Sequence, residues 1–410
     1  MTRKTSKAVA LIFVLSISIG CVALSTRFLL RVFYPTARHT QVGHFLLSGG
    51  AVEVAGTPRA RPLWKRSLEW ELSENHPFKV FILETVSCYE RLIRWNIPLL
   101  QNAGSPFAVS KNFLGSSLYL SSHTSSILAD NTVSAISKVS DLLDVPVIYL
   151  VPPSRFDEQD RLYDDVFNFE RSIQHGIAAR VQAAGYSVIN LNRLAMQEGR
   201  DAHQSFFATD HHFTPETGLW VAQKLGACLF EDFQLPVDTD MLKSESFGKQ
   251  VRHSFFLGSI GKRFSLARCK PDDFSLMGTL APISFQIEIP SLQLNKTGGP
   301  KELVNWNLLG QRKHLYRTNP YGAYSWGDNP LVTIRNTTST NNVRLLLFSD
   351  SIDNVLLPML APSVAEVTSI DLRHFKGPLS VFLADNHFDA VIFFWRMPYV
   401  SYNRHFERIR

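Results

Sequence analysis

Three residues far apart in the chain have the types and settings that acyl transfer uses. Ser351 stands where an apolar run, Leu345 to Phe348, gives way to a helical pattern of Ile352, Val355, Leu356 and Met359. A serine on a tight Ser349-Asp350-Ser351 turn between a buried strand and a helix presents its hydroxyl. The free N–H groups of the first helical turn then point to where an oxyanion would form. Such a serine needs a base, and the base needs an orienting acid. Asp210 and His212 have alternate spacing, so in an extended loop they project to one side. His211 points the other way in that geometry and is the second choice for the base. Two plainer readings stand beside this one. Asp350 or Ser351 caps the helix, as Asp and Ser commonly do, and Asp210 with its two histidines is a solvated helix entry. No third and fourth metal ligand stands at a recognisable spacing, so neither a metal nor another cofactor is expected.

The elements that must position these residues read as an α/β alternation. Ile127 to Leu143 is an amphipathic helix, followed by the apolar strand Val145 to Val151 and the breaker Pro152-Pro153. Tyr163 to Ala184 is a second helix, followed by the strand Ser187 to Leu191. Thr214 caps a helix over Pro215 to Leu229, with proline at its first position. Val367 to Leu372 and Ala390 to Phe394 are strands, and Pro358 shortens or kinks the helix after Ser351. Apolar strands alternating with helices imply a mainly parallel sheet covered on both faces, with ligands at the carboxyl ends of the strands. Residues 240–340 read as less regular. Earlier, Val80 to Ile97 has a helical rhythm, and Phe107 to Leu120 reads as short strands about a glycine turn.

The 410 residues suffice for one large or two ordinary domains, and 45% hydrophobic content is that of a chain that buries a core. The net charge of +6 comes from Lys and Arg scattered along the chain, which gives no reason to expect nucleic acid. Arg3, Lys4 and Lys7 precede an uninterrupted apolar run from Ala8 to Leu24. This pattern predicts a cytoplasmic stretch over 1–7, a transmembrane signal anchor over 8–30, a stalk over 31–75, and an extracytoplasmic domain over 76–410. A cleaved signal peptide is the competing reading, without a convincing small-x-small site after Leu24. Cys88, Cys228 and Cys269 lie beyond the anchor and allow one disulfide at most.

Thr209-Asp210-His211-His212-Phe213-Thr214 resembles the signature of the DHHW family, which looks like a relative of the SGNH-fold proteins of alginate O-acetylation. Three further stretches match its pattern in the same order. They are Phe256 to Arg263, Tyr324-Ser325-Trp326-Gly327-Asp328, and Ser349-Asp350-Ser351 with the later Ile370-Asp371-Leu372-Arg373. The resemblance covers about residues 107–400. It implies an SGNH-hydrolase-like three-layer α/β fold and a triad of Asp210, His212 and Ser351. It also implies an O-acetyltransferase or carbohydrate esterase acting on an exported polysaccharide, beside a membrane partner that supplies acetyl groups. Lys262 and Arg263 become candidates for an anionic glycan, and Tyr324, Trp326 and Asp328 for a sugar ring; a solvated basic turn and aromatics packed under a loop are the plainer readings. Two departures stand out. Ser349 replaces the glycine usual before Asp-Ser, where glycine accepts backbone angles that serine resists, and Phe213 replaces a tryptophan. The altered turn favours the alternative function, a non-catalytic glycan-binding or assembly protein on the same fold.

Overall fold

The computed structural model describes residues 122–154, 164–264, 266, 269–310 and 315–395. The predicted anchor, the stalk, the helical rhythm over 80–97 and the strands over 107–120 lie outside the described residues. Among those described, no helix is long and apolar enough to cross a membrane.

The first half alternates as α1 (Ser122–Leu143), β1 (Val147–Val151), α2 (Asp164–Ala183), β2 (Ser187–Asn190), α3 (Leu191–Gln197) and α4 (Pro215–Glu231). The middle holds β3 (Phe247–Phe256), α5 (Ser259–Phe264), β4 (Asp272–Thr279), β5 (Phe285–Ile289), β6 (Leu294–Gly298), α6 (Trp306–Gly310) and β7 (Leu331–Asn336). The chain closes with β8 (Arg344–Ser349), α7 (Leu356–Leu360), β9 (Glu366–Asp371), α8 (Leu379–Asp385) and β10 (Ala390–Phe394).

The continuous apolar runs of β1 and β8 follow from burial on both faces. Val147, Tyr149 and Val151 join Leu346 and Phe348 in a cluster with Ile136 and Val139 of α1 and Ile177 and Val181 of α2. The alternate residues Ile148, Leu150, Leu345 and Leu347 face the other way, toward Leu219 and Leu225 of α4 and Leu356 of α7. Helices thus cover both faces of a central sheet.

That sheet has eight strands in the order β2-β1-β10-β8-β9-β7-β5-β6. From β2 to β9 all neighbours are parallel. The pairings of β7 with β9, β5 with β7 and β6 with β5 are antiparallel. The sheet is parallel over β2 to β9, in keeping with the expectation, and antiparallel beyond, and residues 240–340 are more regular than their sequence indicates. They hold three strands of the main sheet, counting β5, β6 and β7, and the separate antiparallel pair β3 and β4. From β8 the chain goes to β9 on one side and then returns to β10 on the other. The carboxyl end of β8, where Ser349 leads into Ser351, is therefore a switch point of the kind at which α/β sheets bind ligands.

Candidate active site

The loop carrying Asp210 and His212 is closed by its flanks. Phe206 and Phe213 form an antiparallel bridge, with their rings 4.8 Å apart between centroids. The Phe207 N–H donates to the His212 carbonyl at 3.2 Å, and the Asp210 N–H to the Phe207 carbonyl at 3.3 Å. Phe213 is buried and also stacks toward Phe394 of β10, so an apolar aromatic serves at this place. The next residue, Thr214, accepts the Thr217 N–H at 3.3 Å and starts α4, with Pro215 at its first position.

Within this closed loop Asp210 accepts both the ring Nδ1–H of His212 and, at 3.1 Å, its backbone N–H. A carboxylate only accepts, so the Nδ1 proton sits on His212 and leaves Nε2 as an acceptor. Nε2 lies 2.9 Å from the Ser351 hydroxyl, and all three side chains are buried. The loop is a turn rather than the extended segment expected. His211 consequently stands beside His212, with ring centroids 3.9 Å apart, and its Nδ1 meets the Ser259 hydroxyl at 2.9 Å instead of Ser351.

Asp210 is held from the far side by the segment Phe256 to Arg263. The Ser259 N–H donates to its second oxygen, and the Gly258 N–H donates to the Thr209 hydroxyl at 2.9 Å. Asp272 at the start of β4 accepts the N–H groups of Ala208 and Thr209, both at 2.8 Å. Burial alone would raise the Asp210 carboxyl. The His212 hydrogen bond, the charges of His212 and His211, and the Ser259 N–H outweigh it and hold the group well below the usual carboxylate range.

At the other end of the pair, β8 stops at Ser349 and a 3-10 turn runs from Ser351 to Val355. Asp350 caps this turn by accepting the Ile352 N–H at 3.1 Å, while the neighbouring Ser351 meets His212. Capping and chemistry are thus divided between adjacent residues. Neither Ser349, Asp350 nor Ser351 has a positive φ, so serine replaces glycine without backbone strain. The cap corrects one expectation about the first turn. The Ile352 N–H goes to the Asp350 side chain and the Asp353 N–H to the Asp350 carbonyl, so neither is free for an oxyanion. The Ser351 N–H enters none of the hydrogen bonds found among the described residues.

Of the residues named for substrate contact, Tyr324 is the one whose placement departs from expectation. Tyr324 is fully buried, accepts the Met277 N–H at 2.8 Å and donates to the Ser275 carbonyl at 2.9 Å. No ring face remains for a sugar, which corrects its assignment to substrate binding. Trp326 donates its indole N–H to the Glu302 carbonyl at 2.9 Å, and the Lys296 ammonium lies 4.7 Å over its ring. Asp328 accepts the Asn354 side-chain amide at 2.9 Å and lies 3.6 Å from Arg373, while Ser325 donates to the Asn354 carbonyl at 2.8 Å. The segment braces the Ser351 turn from behind. It does so through a strained run in which Ser325, Trp326 and Gly327 all have positive φ. Lys262 donates to the Thr318 carbonyl at 2.8 Å, and the Arg263 side chain lies outside the described residues.

Two further features escaped the sequence. Tyr321, in the same aromatic segment, stacks on His212 and bonds the main chain of Ser351. Asp353, in the turn itself, is buried and is hydrogen-bonded to Ser369. Its burial, with repulsion from Asp371, Asp350 and Asp328, pushes its carboxyl well above the usual range despite that bond. Asp210, His211 and His212 bring ligand atoms within 4.8 Å of one another and could hold a metal ion. An ion there would compete with hydrogen bonds that already engage both ring nitrogens of His212.

No protein-family model matches the sequence, and no curated protein does. Solved structures do match. Bacillus cereus PatB1, solved with a sulfonyl adduct, superposes with a TM-score of 0.54 at 17% identity, over 65% of this chain and 87% of that one. A DHHW family protein from Eubacterium siraeum gives 0.50 at 19%, over 70% and 88%. The chain has their fold. The O-acetyltransferase domain of Pseudomonas putida AlgJ also matches, with a TM-score of 0.37 at 13% identity, over 71% of this chain and 93% of the domain.

Proposed function

We propose that the chain is an SGNH-like serine acyltransferase or esterase that moves acetyl groups on or off an exported polysaccharide. The observation that carries this reading is the buried relay from Asp210 through His212 to Ser351, with Nε2 and the serine oxygen 2.9 Å apart. His212 takes the hydroxyl proton as Ser351 attacks the acetyl carbonyl, and Asp210 stabilises the imidazolium that results. The Ser351 N–H receives the oxyanion of the tetrahedral intermediate. His212 returns its proton to the leaving group, which departs and leaves acetyl-Ser351. An acceptor hydroxyl, from a sugar or from water, then gives its proton to His212 and takes the acetyl group, and His212 returns that proton to the departing Ser351 oxygen. Exclusion of water decides between transferase and esterase.

The fold shared with PatB1 supports the reading in one further respect. A sulfonyl adduct forms on an activated nucleophile, and PatB1 was solved with one. An anchor over residues 8–30 that holds the domain outside the membrane belongs to the same proposal and rests on the apolar run, while the polysaccharide and the membrane acetyl donor rest on the family resemblance. The non-catalytic reading draws on the altered Ser349 turn. The relaxed backbone at Ser349 and the placement of Ser351 within reach of His212 favour catalysis over it.

The deciding experiment incubates the full-length chain with a chromogenic acetyl ester, alongside Ser351→Ala and His212→Ala, and examines Ser351 by mass spectrometry. Turnover with an acetyl adduct on Ser351, both lost in the two variants, is the expected result. A folded wild-type protein with neither turnover nor adduct overturns the proposal in favour of a binding protein.

A further inference from the structure

We propose that Tyr321 is a positioning residue that sets His212 against Ser351, an inference that rests on the triad reading for its chemical consequence. Its ring lies on the imidazole of His212, with centroids 4.0 Å apart and planes 21° from parallel. Its hydroxyl donates to the Ser351 carbonyl at 2.9 Å, with a longer contact of 3.4 Å to the Ile352 carbonyl. One side chain therefore touches the face of the proposed base and the main chain of the proposed nucleophile. Those two residues stand 139 positions apart in the chain.

The placement of Tyr321 is rigid. It sits in the 3-10 turn Pro320–Ala323, is buried, and meets the ring of Phe207 edge-on at 6.3 Å. Phe207 belongs to the same closed loop as His212, so the tyrosine ties that loop to the Ser351 turn. Burial, followed by the nearby carboxylates of Asp353, Asp328, Asp210 and Asp350, pushes its phenol far above the ordinary range, so it remains a donor. Stacking limits rotation of the imidazole about its long axis, which aims Nε2, and the hydrogen bond fixes the peptide that carries the serine oxygen. The electron-rich face also favours the imidazolium formed when Ser351 loses its proton.

The test compares wild type, Tyr321→Phe and Tyr321→Leu in the full-length chain. The probe is phenylmethanesulfonyl fluoride: the serine oxygen bonds to sulfur, the S–F bond breaks, fluoride leaves and His212 takes the proton. Crystal structures of the three proteins report the His212 ring orientation independently of any reaction. Tyr321→Phe keeps the stack, loses the hydrogen bond, and should label Ser351 roughly tenfold more slowly. Tyr321→Leu should lose the His212–Ser351 hydrogen bond and label about 10²-fold more slowly. Ester hydrolysis in both variants should fall in kcat more than in KM. A Tyr321→Leu protein whose His212 orientation and labelling rate match wild type overturns the inference. If wild type fails to label yet Tyr321→Leu turns the His212 ring, the positioning role stands and the acyl-transfer reading falls.

Discussion

Asp210 lies against the backbone of Gly258 so closely that no β-carbon fits between them. A methyl built on Gly258 meets the Asp210 side chain and comes within 2.5 Å of the Thr209 carbonyl oxygen. That oxygen belongs to the main chain and cannot swing aside, so Gly258→Ala must displace the loop that carries the acid. We expect a loss of about 1–3 kcal/mol in stability from overpacking, and a fall in esterase activity of about 10²-fold from the misplaced relay. Thermal denaturation and kcat/KM check the two. Gly278→Ala, with nothing within 4 Å of the added carbon, is the matched control and should change neither.

Asp210→Asn tests the charge of the acid while keeping its shape. An amide at this position can present a donor to Nδ1 and so hold His212 in the wrong tautomer. A drop in kcat of about 10⁴-fold is expected, the size seen when this change is made in a well-studied triad. The stability effect has a definite sign. The folded-state carboxyl of Asp210 titrates below its unfolded value, so its contribution is present above about pH 3.9 and disappears as the pH falls through the folded value. Asp210→Asn should therefore be less stable than wild type at pH 7, and the gap should narrow as the pH drops below 4. Melting curves across that range decide it.

Asp353 behaves in the opposite sense. Its folded-state carboxyl is raised, so the stability it contributes is fully present below about pH 3.9 and is lost as the pH rises through the folded value. Asp353→Asn keeps the size and a hydrogen-bonding group beside Ser369 but has no proton to lose. Its melting temperature should exceed that of wild type at pH 8 and converge with it near pH 4. A variant less stable at pH 8 would show that the ionised carboxylate has a role of its own.

Tyr324→Phe separates packing from substrate contact. The hydroxyl bridges the Ser275 carbonyl and the Met277 N–H inside the core. Its removal leaves both buried partners short of a bond, which costs about 1–3 kcal/mol. The melting temperature should fall while KM for a glycan acceptor stays unchanged. A raised KM at full stability would return the residue to the binding site.

The elements that bury both faces were legible from residue types alone. Ala390–Phe394 coincides with its sequence assignment, and β1 and α4 differ from theirs by two residues at one end, because an uninterrupted apolar run has few alternative readings. β3 was illegible for the converse reason. Lys249, Gln250, Val251, His253 and Ser254 all stand in water on a two-stranded ribbon, so no alternation marks the strand. β6 is an edge strand, and its Asn295, Lys296 and Thr297 are exposed in the same way. Within the site, Ser351, His212 and Asp210 were visible because motif and junction coincide. Tyr321 and Asp272 were not, and Gly258 was visible only as part of the stretch Phe256 to Arg263, since each acts through a contact made only by the folded chain. The first bonds across 30 positions, Gly258 across 49 and Asp272 across 63.

The 139 positions between His212 and Ser351 also bear on how the molecule assembles. Helices such as α1 and α4 can form from local interactions, whereas the serine meets its base only after β8 has docked and the loop over 206–213 has closed. Contacts of such long sequence separation come late, because the chain entropy of closing the intervening segment must be overcome first. Reactive serine is thus a clock for completed tertiary structure. In a refolding experiment the far-ultraviolet helical signal should recover first, and capture of a sulfonyl probe only with the last kinetic phase.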